Sequence, residues 1–360
     1  MPDTPKLLIM AAGTGGHVYP ALATAEQICR QGWQVEWLGS GRAIEIRLVP
    51  QAGYPLHNII LGGLRGQSFS QLLLAPWRLL RAWMQVLWLL HRMRPQCVLG
   101  MGGFIAGPGG LAARMLGIPL VIHEQNAIPG LTNRLLRPLA TQVLEAFLGS
   151  FKGSGVIFTG NPVRSSIMAL PQPSQRLAGR TGPVRLLIIG GSLGALALNQ
   201  VVPAAIDRMP LQQRPQLWHQ CGSKHLDSTL QAYADIQVEA RVCDYIDNMA
   251  SAYAWADLVL CRAGALTVSE LGSVGLAAVL VPYPFAVDDH QTANAQALVA
   301  AGAARILPQK QLTAAHLATL LSDYFGQRIT LLTMAQRARQ YAHPQAAQAV
   351  ADVCREVAYG

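Results

Sequence analysis

The stretch from Leu258 to Asn294 constrains this chain most. It reads Leu-Val-Leu-Cys261, then Arg262-Ala263-Gly264-Ala265-Leu266-Thr267-Val268-Ser269-Glu270. A second apolar run, Ala277 to Val281, opens into Pro282-Tyr-Pro-Phe-Ala-Val-Asp-Asp-His290-Gln291-Thr-Ala-Asn294. Two short β-branched runs joined by a helical segment make a β-α-β unit, which gives parallel strands. Gly264 lets the backbone turn between strand end and helix start. Free N–H groups then point outward at the positive end of the helix dipole and form an anion site. Glu270 lies beyond the first turn of that helix, too deep to cap it. His290, Gln291 and Asn294 open the following helix. Each of these residues alone fits an ordinary polar loop. A carboxylate, two amides and an imidazole converging on one sheet edge exceed what packing requires. Phosphate on backbone N–H groups, with hydroxyls on the carboxylate and amides, describes a nucleotide-sugar.

At 360 residues the chain is long for one core and suits two α/β domains. Only 13% of its residues are charged, yet the formal net charge is +9, which points to an anionic partner: nucleic acid or an acidic membrane surface. No arginine-rich run, zinc-knuckle spacing or aromatic RNA-binding pattern is present, so nucleic acid is not expected. The six cysteines are scattered through apolar runs and read as reduced, structural thiols of a cytoplasmic protein. Lys6 leads straight into Leu-Leu-Ile-Met, with no signal-peptide pattern.

The opening is a second βαβ unit: a strand at Lys6–Met10, the loop Gly13-Thr14-Gly15-Gly16-His17, a helix from about Tyr19 to Gln31 and a strand at Val35–Leu38. Val18 stands where a dinucleotide fingerprint needs its third glycine, and no Gly-Lys-Ser/Thr follows. The loop offers backbone N–H groups, the Thr14 hydroxyl and an imidazole at a helix start. A further glycine turn, Gly100-Met101-Gly102-Gly103-Phe104, follows a strand and is also able to cradle phosphate. His123-Glu124-Gln125-Asn126 leave another strand end, and Gly160-Asn161-Pro162-Val163-Arg164 follow a third. The loop-rich passage Pro171–Pro183 separates domains. Val184 then starts strand, glycine loop (Gly190-Gly191-Ser192-Leu193-Gly194-Ala195) and helix again, echoing the chain's beginning. The expected division is a first domain over 1–163, a second over 164–340, and a C-terminal helix over 341–360 returning to the first.

Leu72 to Leu90 is the most apolar helix candidate and is nearly long enough to span a bilayer. Arg78, Arg81, Gln85 and Arg92 fall on one stripe, so the segment fits a helix lying on a surface better than one crossing it. The expectation is part core, part membrane-facing patch carried by Trp77, Leu80 and Trp83 and ringed by arginines.

Taken in order, Gly13-Thr-Gly-Gly-His-Val, Gly-Met-Gly-Gly-Phe with Gly-Pro-Gly-Gly110, His-Glu-Gln-Asn126, Gly-Asn-Pro-Val-Arg164, Gly-Gly-Ser-Leu-Gly-Ala195, Arg-Ala-Gly-Ala-Leu-Thr-Val-Ser-Glu270 and Asp-His-Gln-Thr-Ala-Asn294 carry a resemblance. Together they resemble the family 28 glycosyltransferases of bacterial peptidoglycan synthesis, from about Leu7 to the C-terminal helices. The resemblance implies an α/β protein of GT-B fold, two Rossmann-like domains with parallel sheets facing a deep cleft. It implies inverting transfer of N-acetylglucosamine from UDP-N-acetylglucosamine to the muramoyl 4-hydroxyl of lipid I, giving lipid II. The implied place is the cytoplasmic face of the bacterial inner membrane, held peripherally by its anionic surface. For the donor, the resemblance puts uracil near Ile246 and the ribose on Glu270. It puts the diphosphate near Ser192, Arg164 and the Ala265, Leu266 and Thr267 backbone, and the sugar near Gln291 and Asn126. Thr14, Gly15, Gly16, Val268, Ser269, His290 and Asn294 complete the donor set. Gly13, Gly102 and Gly103 take the acceptor's pyrophosphate, and His17 is the general base, with Glu124 its alternative. Two departures from the pattern stand out: Leu193 where some members carry glutamine, and Ala12 where some carry a further glycine. No Asp-x-Asp pair sits at a strand end, and Asp288-Asp289 lacks that spacing, so neither metal nor cofactor is expected. Rival readings are a UDP-sugar epimerase, another GT-B glycosyltransferase, or a non-catalytic cell-wall scaffold.

Overall fold

The computed structural model describes residues 4–59, 75–191 and 194–359. The chain divides into two compact units, Met1–Arg164 with His343–Gly360, and Ser165–Ala342. Arg164 thus goes with the first unit, and Tyr341 and Ala342 with the second, where the sequence reading has them on the other side of the division.

Among the described residues the first unit holds a seven-stranded sheet of order β3-β2-β1-β4-β5-β6-β7. The strands are β1 Lys6–Met10, β2 Gln34–Gly39, β3 Leu56–Asn58, β4 Cys97–Gly100, β5 Leu120–Glu124, β6 Gln142–Glu145 and β7 Val156–Phe158. All pair in parallel. Side chains alternate across a strand, so Leu7 and Ile9 enter one core with Val18, Ala21 and Ala25 of the Gly15–Arg30 helix and Val350 and Ala351 of the Ala346–Tyr359 helix. Leu8 and Met10 enter the opposite core, with Ala82, Val86 and Leu90 of the Ala75–Met93 helix and Ala112 of the Ala106–Met115 helix. The C-terminal helix therefore closes one face of the first sheet.

Two helices differ from their expected bounds. The first begins at Gly15 rather than near Tyr19, so Gly15 and Gly16 form its first turn, and Thr14 precedes it without a side-chain cap. The apolar helix runs Ala75–Met93; Leu72, Leu73 and Leu74 lie outside the described residues.

The second unit's sheet, among the described residues, has order β10-β9-β8-β11-β12-β13, again all parallel. Its strands are β8 Arg185–Ile189, β9 Gln216–Gln220, β10 Arg241–Cys243, β11 Leu258–Cys261, β12 Ala277–Leu280 and β13 Ala304–Ile306. In each sheet the order reverses once, between β1 and β4 and between β8 and β11. Open parallel sheets bind ligands outside the carboxyl ends of the strands at such a reversal. The glycine loops read from the sequence all leave strands that flank these two points.

One carboxylate fixes the first of them. Glu45, on the Ala43–Gln51 helix, is fully buried. It accepts the Gly13 N–H at 2.8 Å, the Ser40 N–H at 2.6 Å, the Gly41 N–H at 3.1 Å and the Ser40 hydroxyl at 3.0 Å. The loops after β1 and β2 are thereby tied to one side chain. Glu45→Ala strips the acceptor from three main-chain N–H groups, and a buried donor left without a partner costs about 1–3 kcal/mol. The expected result in chemical denaturation is a loss of at least about 2 kcal/mol. A loss under about 0.5 kcal/mol would show that the loops hold without it.

Candidate active site

In the first unit, the turn Ala11–Thr14 delivers His17 to the carboxyl edge of the sheet. Its Nδ1 lies 3.0 Å from the Ala12 carbonyl oxygen. A carbonyl only accepts, so Nδ1 carries the proton and donates it, and in the neutral ring Nε2 is the basic nitrogen. His17 keeps some accessible surface, yet enough protein surrounds the ring that desolvation pushes its pKa below the ordinary histidine value. Nearby Glu124 and Glu45 and the bond to Ala12 act in the opposite direction. The outcome is a neutral imidazole with its lone pair directed away from the loop.

The loop after β4 packs against this ring. A side-chain carbon on Gly102 would stand 3.1 Å from His17 Nε2, and one on Gly103 only 2.6 Å from the Ala12 carbonyl oxygen. Both residues have positive φ, 91° and 86°, so glycine is required twice over. Gly13, Gly102, Gly103 and His17 are thus brought together, as the motifs imply.

Glu124 has a different part. Its Oε1 accepts the Asn126 N–H at 2.9 Å and the Asn126 side-chain amide at 3.1 Å. Its Oε2 accepts the Gly130 N–H at 3.0 Å and the Asn133 amide at 2.9 Å. It is a buried organiser of the loop after β5, and its lone pairs are occupied; this weighs against Glu124 as the base. His123 is fully buried, with Nε2 3.0 Å from the Gly160 carbonyl oxygen and Nδ1 3.1 Å from the Gln125 amide. Burial pushes its pKa down to about 4, so it stays neutral. Arg164 lies in the first unit, its guanidinium 4.1 Å over the Tyr19 ring.

In the second unit a cavity of about 740 Å³ opens at the carboxyl edge. The loop after β8 lines it with Gly190, Gly191 and Gly194, and the opposite wall holds Arg262, Thr267 and Gln291. Gly264 precedes the Ala265–Val274 helix without a side-chain cap. The first-turn N–H groups of Ala265, Leu266 and Thr267 are those a helix leaves without intrahelical partners. Arg262 was not singled out from the sequence. It donates to the Val281 and Pro282 carbonyls at 3.2 and 3.3 Å and to Gln309 Oε1 at 2.7 Å, and sits 5.5 Å over the Tyr283 ring. It is a cation held rigidly in the cavity wall; its only sequence signal is adjacency to the Ala263-Gly264 turn. Gln291 Oε1 accepts the Tyr283 N–H at 2.9 Å, tying the loop after β12 to the next helix. Asp288 and Asp289, just before His290, both adopt left-handed φ, 54° and 51°.

Glu270 is buried, and its Oε2 accepts the Tyr253 hydroxyl at 2.9 Å, a partner that sequence reading missed. Ile246 lies in a separate cavity of about 490 Å³, with Trp218, Arg241 and Trp255. Three residues of the expected donor set make internal contacts. Asn294 is fully buried and donates to the Ala263 carbonyl at 3.3 Å, so it holds the loop after β11. Val268 is fully buried and its N–H closes the helix onto the Gly264 carbonyl. The Ser269 hydroxyl donates back to the Ala265 carbonyl at 3.0 Å. Ser192 and Leu193 lie outside the described residues.

On the Ala75–Met93 helix, Trp77 and Trp88 are 65% and 62% exposed, and Leu80 and Met84 are exposed beside them. Arg81 and Arg92 flank this stripe, with the Arg92 guanidinium 5.5 Å over the Trp88 ring. Trp83, expected in the patch, packs against the core instead, since it shares the helix face of Val86 and Leu90. The side chain of Arg78 lies outside the described residues. Among the described residues no helix is long and apolar enough to cross a membrane.

Two family models match the chain: the glycosyltransferase family 28 N-terminal domain over residues 7–145 and the family 28 C-terminal domain over residues 185–350. The chain is 54% identical, over 99% of each sequence, to the UDP-N-acetylglucosamine--N-acetylmuramyl-(pentapeptide) pyrophosphoryl-undecaprenol N-acetylglucosamine transferase of Azotobacter vinelandii. It is 52% identical, over the full length of both, to the enzyme of the same name from Marinobacter nauticus. The crystal structure of Acinetobacter baumannii MurG matches with a TM-score of 0.82 at 41% identity, covering 98% of this chain and 99% of that one. A UDP-GlcNAc 2-epimerase from Neisseria meningitidis matches with a TM-score of 0.66 at 14% identity and so shares the fold alone. With both halves of the chain matched and full-length relatives above 50% identity, the conclusion is that this chain belongs to glycosyltransferase family 28.

Proposed function

We propose that this chain transfers N-acetylglucosamine from UDP-N-acetylglucosamine to the muramoyl 4-hydroxyl of lipid I, forming lipid II. The observation that carries the chemistry is His17: a neutral imidazole whose tautomer is set by the Ala12 carbonyl, leaving Nε2 basic at a glycine-lined edge. The 4-hydroxyl gives its proton to Nε2 as its oxygen attacks the anomeric carbon, and UDP leaves from the opposite side with inversion. Developing charge on the diphosphate meets the N–H groups of Ala265, Leu266 and Thr267 and the fixed Arg262 guanidinium. A preorganised donor of this kind contributes about 3 kcal/mol to lowering a barrier. Glu270, oriented by Tyr253, takes the ribose hydroxyls, and Ile246 the base. Gly13, Gly102 and Gly103 admit the acceptor's pyrophosphate to the N-terminus of the Gly15–Arg30 helix.

The acceptor's lipid keeps it in a bilayer, so the enzyme meets it at an anionic membrane surface, reading the exposed stripe as the docking face. Leu111 and Met115 on the Ala106–Met115 helix, which packs against the Ala75–Met93 helix, are exposed as well. Apolar insertion supplies part of the affinity, and each basic residue near an anionic leaflet about 1 kcal/mol more. The place this implies is the cytoplasmic face of the inner membrane.

His17→Ala is expected to lower turnover at least about 100-fold in a labelled-donor transfer assay while leaving UDP affinity unchanged. The neutral ring is the active form, so activity is lost as pH falls through the depressed His17 pKa. The acid limb of kcat/KM therefore lies below the ordinary histidine value of about 6.5; a limb above it, or turnover retained by the variant, removes His17 as base. Glu270→Ala should weaken UDP binding about 10-fold or more in calorimetry, because ribose hydroxyls lose a charged acceptor; unchanged affinity places the ribose elsewhere. Replacing Trp77, Leu80 and Trp88 with serine should abolish flotation with anionic vesicles and spare transfer to a soluble acceptor. Flotation that survives both these changes and high salt would make the helix an ordinary structural one.

A further inference from the structure

Gln125 follows β5 and is 2% exposed, in the loop that Glu124 organises. Its amide nitrogen is spent inward: it lies 3.1 Å from the His123 carbonyl oxygen, 3.1 Å from His123 Nδ1 and 3.9 Å from Met101 Sδ. Because the His123 carbonyl only accepts, this contact fixes which end of the amide is nitrogen. The other end, Oε1, is buried and has no hydrogen-bond donor among the described residues. Its position is marked by Gly102. A side-chain carbon there would stand 3.6 Å from Gln125 Oε1 and 3.1 Å from His17 Nε2, so both atoms border the same notch. A buried carbonyl without a donor is destabilising, and the protein retains one beside the basic nitrogen of the reaction.

The chemistry of the acceptor says which group it serves. The reacting 4-hydroxyl has a single hydrogen, which goes to His17 Nε2, so Oε1 must take its hydrogen from a neighbouring group. Position 4 of the sugar ring is flanked by the 3-oxygen and by the carbon bearing the 6-hydroxymethyl group. In a muramoyl residue the 3-oxygen is an ether to the lactyl arm and carries no hydrogen. The flanking donor is the 6-hydroxyl. We propose that Gln125 Oε1 accepts a hydrogen bond from the 6-hydroxyl of the muramoyl acceptor, making Gln125 a specificity-determining residue that orients the 4-hydroxyl on His17. The proposal rests on His17 acting as the base of the reaction.

The test compares soluble lipid I analogues with a 6-hydroxyl and with a 6-deoxy muramoyl unit, in the wild-type enzyme and in Gln125→Met. A site built around a hydroxyl rejects the analogue lacking it. Wild type should prefer the hydroxylated acceptor about 10- to 100-fold in kcat/KM, and in Gln125→Met that ratio should collapse to about one. Damage to the loop through the lost His123 contacts would lower both rates and leave the ratio unchanged, which would overturn the proposal. A wild-type ratio near one would overturn it without any variant. Should Gln125→Met not accumulate, Gln125→Asn, which retracts the carbonyl by one methylene, gives the same readout. Failure of His17 as base appears separately, as turnover retained by His17→Ala with either acceptor.

Discussion

Parallel pairing is the constraint from which the rest of this molecule follows. Among the described residues every strand pairing in both sheets is parallel. Each connection must therefore cross back over a face of its sheet, and in a βαβ crossover it does so through a helix. Where the strand order reverses, the two flanking crossovers leave to opposite faces. In the first unit the Gly15–Arg30 helix joins one core and the Ala106–Met115 helix the other. Their N-termini consequently part above β1 and β4 and leave a crevice between two uncapped helix starts. Only short loops with small residues fit there, and positive helix dipole ends face whatever enters. The same arithmetic places Gly190, Gly191 and Gly264 at β8 and β11.

Within that crevice, competing effects on His17 settle its protonation. Two carboxylates, Glu124 and Glu45, favour the charged ring, and burial opposes them and wins. Part of the reason is visible in how those carboxylates are used. Glu124 accepts four hydrogen bonds and Glu45 accepts three from main-chain N–H groups besides the Ser40 hydroxyl. Partial positive charge from those donors offsets much of the field each carboxylate would otherwise project onto the imidazole. The same bonds that tie the loops together thus limit how far the two carboxylates favour the charged ring, and burial decides the outcome.

What the sequence made legible was whatever local chemistry demands. A glycine cluster after an apolar run, or four polar residues leaving a strand, has few physical explanations, and the residues near His17 and Thr267 stood out for that reason. Partners distant in sequence did not stand out. Glu45 looks like any first-turn glutamate of an amphipathic helix until Gly13, 32 residues earlier, is seen donating to it. Tyr253 reaches Glu270 from a different helix. Direction was equally hidden: the motif around Glu270 names Val268 and Asn294, but one faces the core and the other the Ala263 carbonyl. On the apolar helix, three tryptophans looked equivalent in composition. Only the angular position of Trp83, three residues before Val86 and seven before Leu90, sends it inward while Trp77 and Trp88 stay out.

That helix heads a series of three that expose apolar side chains. The Ala106–Met115 helix starts three residues after Gly103 and exposes Leu111 and Met115 along its length. The Leu131–Leu136 helix starts at Gly130, whose N–H is held by Glu124, and exposes Leu131 and Leu135. The Leu131–Leu136 helix packs on the Ala106–Met115 helix, which in turn packs on the Ala75–Met93 helix. The elements offering apolar surface are therefore continuous with the loops that hold Gly102, Gly103 and Glu124. A helix advances about 1.5 Å per residue with about 3.6 residues per turn, so roughly two to three turns separate Leu111 and Met115 from the Gly102-Gly103 turn. On the membrane docking proposed above, such short connections would let the bilayer contact set the height of the headgroup relative to His17 without any moving part.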